Sequence, residues 1–447
     1  MKNIRIFIVI VLTIVLSVAV AAAVIAGSTP ITPYTYEPCE DFANIAVTFY
    51  ENGANGRAFS FTTAGLYENE CVVQLDPAEK EEAEPVFNAR DNIILDAESS
   101  IYIVNGEYFV HRAATKDLTA GTKYFYRVGN EELDRWSEWG SFVTDDGDDD
   151  FTFLYITDPQ ADTNQDFDSF SETMHTAFDQ HDNIEFVASM GDQVEWGPSQ
   201  YQWDKFFAAI KDIIMSTTFA CANGNHEIFP DIMNAHFYIP NMPDLVGIYY
   251  YAFEYGDCLF MVIDTNFMNL SSQLDFMSSV MSKSKKTWNI LGMHYSMFSS
   301  GSHAEDDNVM NEKEQLVPFI SQNKIDLVIS GHDHNYARTY PIDAAGNVAT
   351  ADNKEFVDQN GYQKTVYTNP KGGIYVINRC VGTKFYGSSN RFNDYAIEKG
   401  DSETVRIPIY STITISGNKL TYTAYEYNIN TTKEITVFDC IEIIKEP

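Results

Sequence analysis

Short apolar runs alternate with stretches of helical periodicity from residue 151 onwards, and this alternation constrains the fold more than any other feature of the chain. The six runs read FTFLYIT, IEFVASM, TTFACA, CLFMVID, TWNILGM and IDLVIS. After the first run, Phe167, Phe170 and Met174 recur at the spacing of one helix face. Runs that are apolar throughout are typical of strands buried on both faces. The pattern therefore predicts an α/β domain.

The preceding region has a different pattern. From Ile45 to about Asp145, short alternating runs such as NIAVTFY, RAFSFTT, ECVVQLD and KYFYRVG are separated by turn residues. This spacing predicts an all-β sandwich of about 100 residues. The acidic run DDGDDD at 145–150 marks the boundary. We interpret it as a solvated linker, with a calcium site as the alternative.

The first residues predict export. Lys2 and Arg5 precede an uncharged run from Ile6 to Ala26, which is the pattern of a signal peptide. An uncleaved anchor is the alternative, because about 20 apolar residues suffice to cross a bilayer. We therefore predict a signal peptide or N-terminal anchor at 1–27, a linker at 28–44, the β-sandwich at 45–147 and the α/β domain at 148–447. The protein would be secreted, or held at the cell surface if the anchor is retained.

The chain has six cysteines. An even number in an oxidising compartment permits three disulfides with 15 possible connectivities, and the spacing does not choose among them. Cys221 and Cys258 lie in apolar strand-like runs, where we interpret them as buried free thiols.

The charge balance restricts the partners. The chain has 29 Lys and Arg against 64 Asp and Glu, a net charge of −35. A nucleic-acid groove and a general affinity for anionic membranes are therefore not expected, because both require clustered cations. Membrane contact would come only through the N-terminal segment. A small phosphorylated substrate remains compatible if bound metal reverses the sign of the field within one cleft.

Metal-ligand residue types follow five of the apolar runs. These residues are Asp158 in ITDPQ, Asp192 in MGDQVEW, Asn225 and His226 in NGNHE, His294 in GMHYS, and His332 and His334 in SGHDHNY. Loops at the carboxyl ends of strands converge on one crevice in α/β sheets. Oxygen and imidazole ligands suit Mn, Fe or Zn. Two metals need a bridging carboxylate, for which Asp192 is the natural candidate.

These motifs resemble those of the calcineurin-like metallophosphoesterases and, within them, the purple acid phosphatases. The matching segments are GDQVEW, NGNHE, GMHYSMFSSGSH and GHDHNYART. The segment LTAGTKYFYRVGNEELDRWSEWGSFVT resembles the end of the fibronectin-III-like domain that precedes those enzymes. The resemblance implies an N-terminal all-β sandwich of fibronectin-III type followed by an α/β metallophosphoesterase domain, a four-layer αββα sandwich.

The resemblance also implies a ligand set. One metal would be held by Asp158, Asp192 and His334, and the other by Asp192, Asn225, His332 and His294. The two histidines that bind no metal in the family fall on His226 and His303, which would face the phosphoryl oxygens and the leaving group. The implied cofactors are two divalent metal ions, Mn, Fe or Zn, with Ca possible at the first site.

The chain departs from the family at two positions near the first metal. The purple enzymes place a metal-binding Tyr three residues after the bridging Asp, where this chain has Glu195. Relatives without that Tyr place a His two residues after the first Asp, where this chain has Gln160. Both residues are possible additional metal ligands. The family's purple colour comes from the Tyr phenolate on ferric iron, so we expect a colourless protein.

These observations predict a secreted phosphoesterase with two metals that hydrolyses phosphate monoesters by attack of a metal-bound hydroxide, with His303 as general acid. Its partner would be a phosphorylated small molecule or another phosphoester. One alternative is a phosphodiesterase or nucleotidase with the same centre. The other is a surface binding protein with a decayed catalytic domain, which only Glu195 and Gln160 favour. The sequence leaves the oligomeric state open.

Overall fold

A computed structural model describes residues 42–446 except 52, 64–69, 80–83, 86–91, 104–106, 230, 241, 243–247, 268, 360 and 388–395. The predicted signal peptide, most of the predicted linker and Cys39 lie outside the described residues. Of the helices within the described ranges, none is long and apolar enough to cross a membrane.

The N-terminal region is built from strands, as predicted. They are β1 (Ala43–Phe49), β2 (Arg57–Thr63), β3 (Cys71–Ala78), β4 (Ile93–Asp96), β5 (Glu98–Ile103), β6 (Glu107–Thr115), β7 (Lys123–Asn130), β8 (Arg135–Trp136) and β9 (Gly140–Val143). Strands β1, β2, β6 and β5 lie side by side, while β4, β3, β7 and β8 form a second sheet with β9 beside β7. Phe59 of the first group packs against Tyr126 of the second, with ring centroids 5.3 Å apart.

The α/β region alternates strands with helices. Its elements are β10 (Asp150–Ile156), α1 (Asn164–Gln180), β11 (Ile184–Ser189), α2 (Gln200–Ala209), α3 (Lys211–Ile214), β12 (Thr218–Cys221), a 3-10 turn (Asn225–Glu227), α4 (Ile232–His236), β13 (Tyr251–Tyr255), β14 (Cys258–Val262), α5 (Ser271–Lys283), β15 (Trp288–Gly292), α6 (Asp307–Gln322), β16 (Leu327–Ser330), β17 (Ala337–Thr339), β18 (Asn353–Gln359), β19 (Tyr362–Thr368), β20 (Ile374–Ile377), β21 (Ile397–Gly400), β22 (Ile409–Ser416), β23 (Lys419–Tyr427) and β24 (Ile435–Ile444). All six predicted apolar runs are strands, namely β10, β11, β12, β14, β15 and β16.

Two mixed sheets organise these strands. Among the described residues, one sheet has the order β18-β19-β24-β23-β22-β10-β11-β12-β1-β2-β6-β5, and the other has the order β13-β14-β15-β16-β20-β17-β21. Strands β10, β11 and β12 are parallel to one another, and so are β14, β15, β16 and β20. Parallel strands place their carboxyl ends at one edge of each sheet.

The layers follow from the alternation of side chains along the strands. In β14, Phe260 faces the first sheet and lies 5.6 Å from the Phe153 ring. Its neighbours Leu259 and Met261 belong to a separate core that includes Met277 of α5 and Leu316 of α6. Helices α1 and α2 lie in the other helical layer and pack against each other. The rings of Phe170 in α1 and Phe206 in α2 stack with their centroids 5.3 Å apart. The four-layer αββα arrangement is thus confirmed.

The β-rich region continues the larger sheet of the α/β region. Strand β1 pairs with β12 in parallel, with Thr48 opposite Phe219. The ring of Phe49 stacks on Phe253 at a centroid distance of 3.9 Å. Both regions therefore share one packed interior, and the described residues belong to a single compact unit.

The acidic run at the predicted boundary is only partly a solvated linker. Residues 146–150 are exposed, but Asp145 is buried. Its carboxylate accepts hydrogen bonds from the backbone N–H of Gly147 and of Gly256, both at 3.0 Å. The interpretation is wrong for Asp145, because this carboxylate ties the boundary to the turn between β13 and β14.

The cysteines that the structure describes are unpaired. Cys221 and Cys258 are buried free thiols, as predicted, and Cys71, Cys380 and Cys440 are as well. No disulfide forms among these five.

Candidate metal centre

Five parallel strands deliver the predicted ligands to one place. Each ligand lies within four residues of the end of its strand: Asp158 follows β10, Asp192 follows β11, Asn225 follows β12, His294 follows β15, and His332 and His334 follow β16. Because the first three strands belong to one sheet and the last two to the other, the loops meet where the carboxyl ends of both sheets lie together.

Two clusters of ligand atoms share the Asp192 carboxylate. Asp158, Asp192 and His334 form one cluster, and Asp192, His294 and His332 form the other. Within each cluster the ligand atoms lie no more than 4.8 Å apart. The clusters contain residues of the two ligand sets that the family resemblance implies, and Asp192 is the residue that both clusters share.

Asn225 joins the second cluster. Its side-chain Oδ1 lies 3.1 Å from Nε2 of His294, and the same Nε2 lies 3.3 Å from Oδ2 of Asp192. An amide oxygen, a carboxylate and an imidazole therefore converge, which is a donor set that suits a divalent first-row cation.

Two of the ligand imidazoles are each oriented by a hydrogen bond from Nδ1, which directs Nε2 toward the other ligands. Nδ1 of His294 donates to the Met190 carbonyl at 2.8 Å, and Nδ1 of His334 donates to the Lys384 carbonyl at 2.5 Å. Nε2 of His334 is buried without a hydrogen-bond partner among the described residues, and it lies 3.2 Å from Oδ1 of Asp158. Second-sphere carbonyls commonly orient metal-binding histidines in this way. The residues present fit a bound cation.

The buried carboxylates create a demand for positive charge. Asp158 and Asp192 are 0% and 1% exposed, and a buried charge needs a partner. Burial lowers the pKa of the His294 imidazole, but the Asp192 and Asp158 carboxylates raise it to about 9. A proton on His294 thus balances the carboxylates when no cation is bound. Metal loading must displace that proton, so it is favoured as the pH rises.

Four ligand residues have left-handed backbone conformations. The φ angles are 52° at Asp158, 51° at Asp192, 78° at His332 and 48° at His334. Such conformations cost of order 1–3 kcal/mol each for residues other than glycine and occur mainly at functional sites. The fold tolerates them here because each turns a side chain into the centre directly after a strand.

The motif glycines leave room for the metal-ligand carboxylates. A Cβ atom at Gly224 would lie 2.1 Å from Oδ1 of Asp192. At Gly331 it would lie 1.9 Å from the Thr157 hydroxyl oxygen and 2.6 Å from Oδ2 of Asp158. The Gly-Asn-His-Glu and Gly-His-x-His motifs thus need glycine for close approach of the backbone to the ligands.

Glu227 supports the centre without belonging to it. Its carboxylate accepts from the backbone N–H of Asp192 at 3.0 Å, Val194 at 3.2 Å and Gly224 at 3.1 Å. It therefore holds the loops after β11 and β12 together. In the sequence, Glu227 is visible only as the last residue of NGNHE, and its place in that motif is the signal that could have revealed its role.

His226 lies beside the bridging carboxylate. Its Nδ1 donates to the Glu195 carbonyl at 2.5 Å, and its Nε2 lies 3.8 Å from Oδ2 of Asp192. Gln160 Nε2 donates to His226 Nε2 at 2.6 Å. The amide oxygen of Gln160 is buried and without a hydrogen-bond partner in the described part of the chain. Gln160 therefore positions His226, and only its oxygen is available to a first-site metal.

His303 lies on the other side of the centre. Its ring is 4.6 Å from the His332 ring, and its Nδ1 donates to the Asp306 carboxylate at 2.8 Å. The Asp333 carboxylate accepts from the His303 backbone N–H at 3.0 Å. Asp306 and Asp333 thus fix the loop and the ring, and neither role was evident from the sequence.

Glu195 has a partner other than a metal. Its carboxylate forms an ion pair with the Lys384 ammonium group, and it belongs to neither ligand cluster among the described residues. The sequence suggested Glu195 as an additional ligand because of its position after the bridging Asp. It could not show Lys384, which approaches from a loop 189 residues later in the chain.

The segment 380–387 after β20 forms one wall of the centre. The Tyr386 ring stacks on His334 at 4.2 Å with an interplanar angle of 10°, and it lies 6.0 Å from the His303 ring. The segment reads CVGTKFYG and matches no motif, so sequence reasoning missed both Lys384 and Tyr386.

Comparisons with known proteins agree with this fold. Residues 42–144 match the family described as purple acid phosphatase, N-terminal domain, and residues 151–336 match the calcineurin-like phosphoesterase family. The solved structure of purple acid phosphatase PPD1 from yellow lupin (Lupinus luteus) seeds has the same fold as this chain, with a TM-score of 0.74. The two chains are 17% identical, and the match covers 92% of this chain and 75% of that one.

Two curated relatives differ in what their names say about activity. The chain is 26% identical to Probable inactive purple acid phosphatase 27 of Arabidopsis thaliana, over 52% of this chain and 44% of that protein. It is 22% identical to Acid phosphatase type 7 of Homo sapiens, over 69% of this chain and 71% of that protein. The match thus spans less than half the length of the Arabidopsis relative.

Proposed function

Because the chain joins a purple acid phosphatase N-terminal domain to a calcineurin-like phosphoesterase domain, we propose that it is a secreted, metal-dependent hydrolase of phosphate monoesters. The observation that carries this proposal is the Asp192 carboxylate, which two clusters of ligand atoms share. The second cluster has every donor that the resemblance implies, whereas the first has Glu195 in place of the Tyr of the purple enzymes and Gln160 in place of the His of other relatives. The substrate is a phosphorylated small molecule, since the strongly acidic chain has a place for phosphate only where cations are bound.

The residues around the clusters have separate tasks in this reaction. Divalent cations held by the two clusters would supply Lewis acidity toward the phosphoryl group and would lower the pKa of water. His226 faces the phosphoryl oxygens beside Asp192 and binds one of them as the imidazolium, whose Nε2–H replaces the hydrogen bond that Nε2 accepts from Gln160. His303 donates a proton to the leaving oxygen through Nε2, because its Nδ1–H is held by Asp306. Asn225 is neutral and so preserves the positive charge of the second site.

The alternative to an enzyme is a binding protein with a decayed catalytic domain. The Arabidopsis relative is named as a probable inactive phosphatase, so hydrolysis has to be tested directly. The full-length protein should be loaded with Mn, Fe or Zn, analysed for metal, and assayed with 4-nitrophenyl phosphate, bis(4-nitrophenyl) phosphate and a nucleotide. We expect two metals per chain and fastest hydrolysis of the monoester. Metal binding without hydrolysis of any substrate would favour a binding protein, and faster hydrolysis of the diester or nucleotide would favour the alternative enzyme.

The colour of the iron-loaded protein tests the first site. We expect no strong band in the middle of the visible spectrum, because the family's Tyr position is Glu195 and its carboxylate pairs with Lys384. Tyr386 stacks on His334 and provides the control. A band that appears in the unmodified protein and disappears in Tyr386→Phe would show that this phenol has taken over as a ligand, contrary to the expectation.

The N-terminus of the mature protein tests export. If residues 1–27 are a signal peptide, protein recovered from the growth medium should begin close to residue 28. Recovery in the membrane fraction with an intact N-terminus would support the anchor instead. Recovery in the cytosol with an intact N-terminus would contradict both forms of the proposal.

A further inference from the structure

The main chain of Lys384 is fixed against the first ligand cluster. Its carbonyl oxygen accepts from Nδ1 of His334 at 2.5 Å and from the Cys380 thiol at 2.8 Å. These contacts do not depend on the lysine side chain. The backbone therefore places whatever side chain stands at position 384 beside the first metal position.

The Lys384 side chain extends toward Glu195 in the loop after β11. Its ammonium group pairs with the Glu195 carboxylate, whose Oε2 lies 3.9 Å from Nδ1 of His226. His226 in turn lies 3.8 Å from the bridging Asp192. The ammonium group is thus connected to the region where a phosphoryl group would meet His226.

The ion pair is open to an incoming ligand. The side chains of Lys384 and Glu195 are 34% and 30% exposed, so solvent and substrate can reach them. Solvent screens an ion pair that is exposed to this extent, so the ammonium group can shift toward a stronger acceptor at little cost. An ammonium group has three donor hydrogens, so it can bind a phosphoryl oxygen while it keeps its contact with Glu195.

We propose that Lys384 binds a peripheral phosphoryl oxygen of the substrate and that Glu195 is the positioning residue that holds its ammonium group. This inference rests on the proposed function and deepens it, because it names the phosphate dianion as the recognised group. A phosphate monoester has one more negatively charged oxygen than a diester, in which the same oxygen is bonded to a second organic group. Lys384 therefore favours monoesters over diesters.

The test compares Lys384→Met with the unmodified enzyme after both are loaded with the same metal. We expect kcat/KM for 4-nitrophenyl phosphate to fall about 10- to 100-fold, the effect of one charge-assisted hydrogen bond. The fall for bis(4-nitrophenyl) phosphate should be several-fold smaller. Calorimetric titration with inorganic phosphate should show weaker binding by a factor similar to that for the monoester. Lys384→Arg should restore most of both losses.

Two further variants separate this role from others. Lys433→Met removes a lysine from another exposed Lys–Glu pair, with Glu172, and should change neither quantity. The double variant Lys384→Met/Glu195→Gln should show the same losses as Lys384→Met. If the double variant instead recovers activity, the loss came from the freed Glu195 carboxylate and the inference is wrong.

The metal content of Lys384→Met and the activity of the unmodified protein distinguish a failure of this inference from a failure of the proposed function. Lys384→Met should retain both metals, since His334 is oriented by the main chain at position 384. Loss of metal, or equal losses for monoester and diester, would overturn phosphate recognition by Lys384 while leaving the hydrolase proposal intact. If the unmodified protein neither hydrolyses a monoester nor binds phosphate, the proposed function itself fails.

Discussion

Asp192→Asn is expected to abolish hydrolysis and to remove metal from both positions at once. The Asp192 carboxylate belongs to both clusters of ligand atoms, so the change removes the one negative charge that the two positions share. An asparagine side chain also cannot bridge two cations through two charged oxygens. Metal analysis of the purified variant should find far less than one metal per chain, and monoesterase activity should fall below detection.

The fold should survive this substitution. Asparagine tolerates the left-handed conformation that Asp192 adopts, with φ at 51°. Its amide oxygen can still accept the hydrogen bond that Oδ1 accepts from the His226 backbone N–H at 3.0 Å. Unchanged circular dichroism and thermal unfolding would therefore show that the effect is local to the centre.

Variants that affect a single cluster provide the comparison. Asp158→Asn replaces a charged donor of the first position by a neutral one, His334→Ala removes a donor from that position, and His332→Ala removes one from the second. Each is expected to lower the content of one metal while the other is largely retained. If Asp192→Asn loses no more metal than Asp158→Asn, the bridging role is wrong.

The ligand residues that follow the strands could be predicted, because a few consecutive residues determine both the strand and the residue types after it. A buried strand such as β10 appears as an apolar run, and the residue types that follow it are visible directly. The glycines before Asn225 and His332 were also visible as motif positions, and the structure explains them by clashes that a Cβ would make with Asp192, Thr157 and Asp158. These features depend on a few consecutive residues.

Contacts between distant segments could not be predicted in the same way. Glu195 and Lys384 meet across 189 residues, and the lysine lies in a segment without periodicity or motif. The pairing of β1 with β12 was hidden for a related reason. Both read correctly as strands, but an apolar run does not specify which strand will cover its open edge. The sequence therefore predicts the sandwich and the α/β region as separate domains, whereas in the structure they share a sheet.

His303→Ala is expected to slow the hydrolysis of esters with poor leaving groups by about 10²- to 10⁴-fold, the usual contribution of a general acid. An alkoxide leaves slowly unless it is protonated, whereas a nitrophenolate is stable without a proton. Hydrolysis of 4-nitrophenyl phosphate should therefore change much less than hydrolysis of an alkyl phosphate. The ratio of kcat/KM for the two substrates is the measurement.

The geometry around His303 supplies the controls for this prediction. Asp306→Asn weakens the partner of Nδ1 and should shift the same ratio in the same direction by a smaller amount. His175→Ala removes another half-exposed His–Asp pair, with Asp212 at 3.0 Å, and should leave the ratio unchanged. Metal content should stay constant in all three variants. Equal losses for both leaving groups in His303→Ala would assign His303 to substrate binding instead, because a group that acts before bond cleavage does not sense the basicity of the departing oxygen.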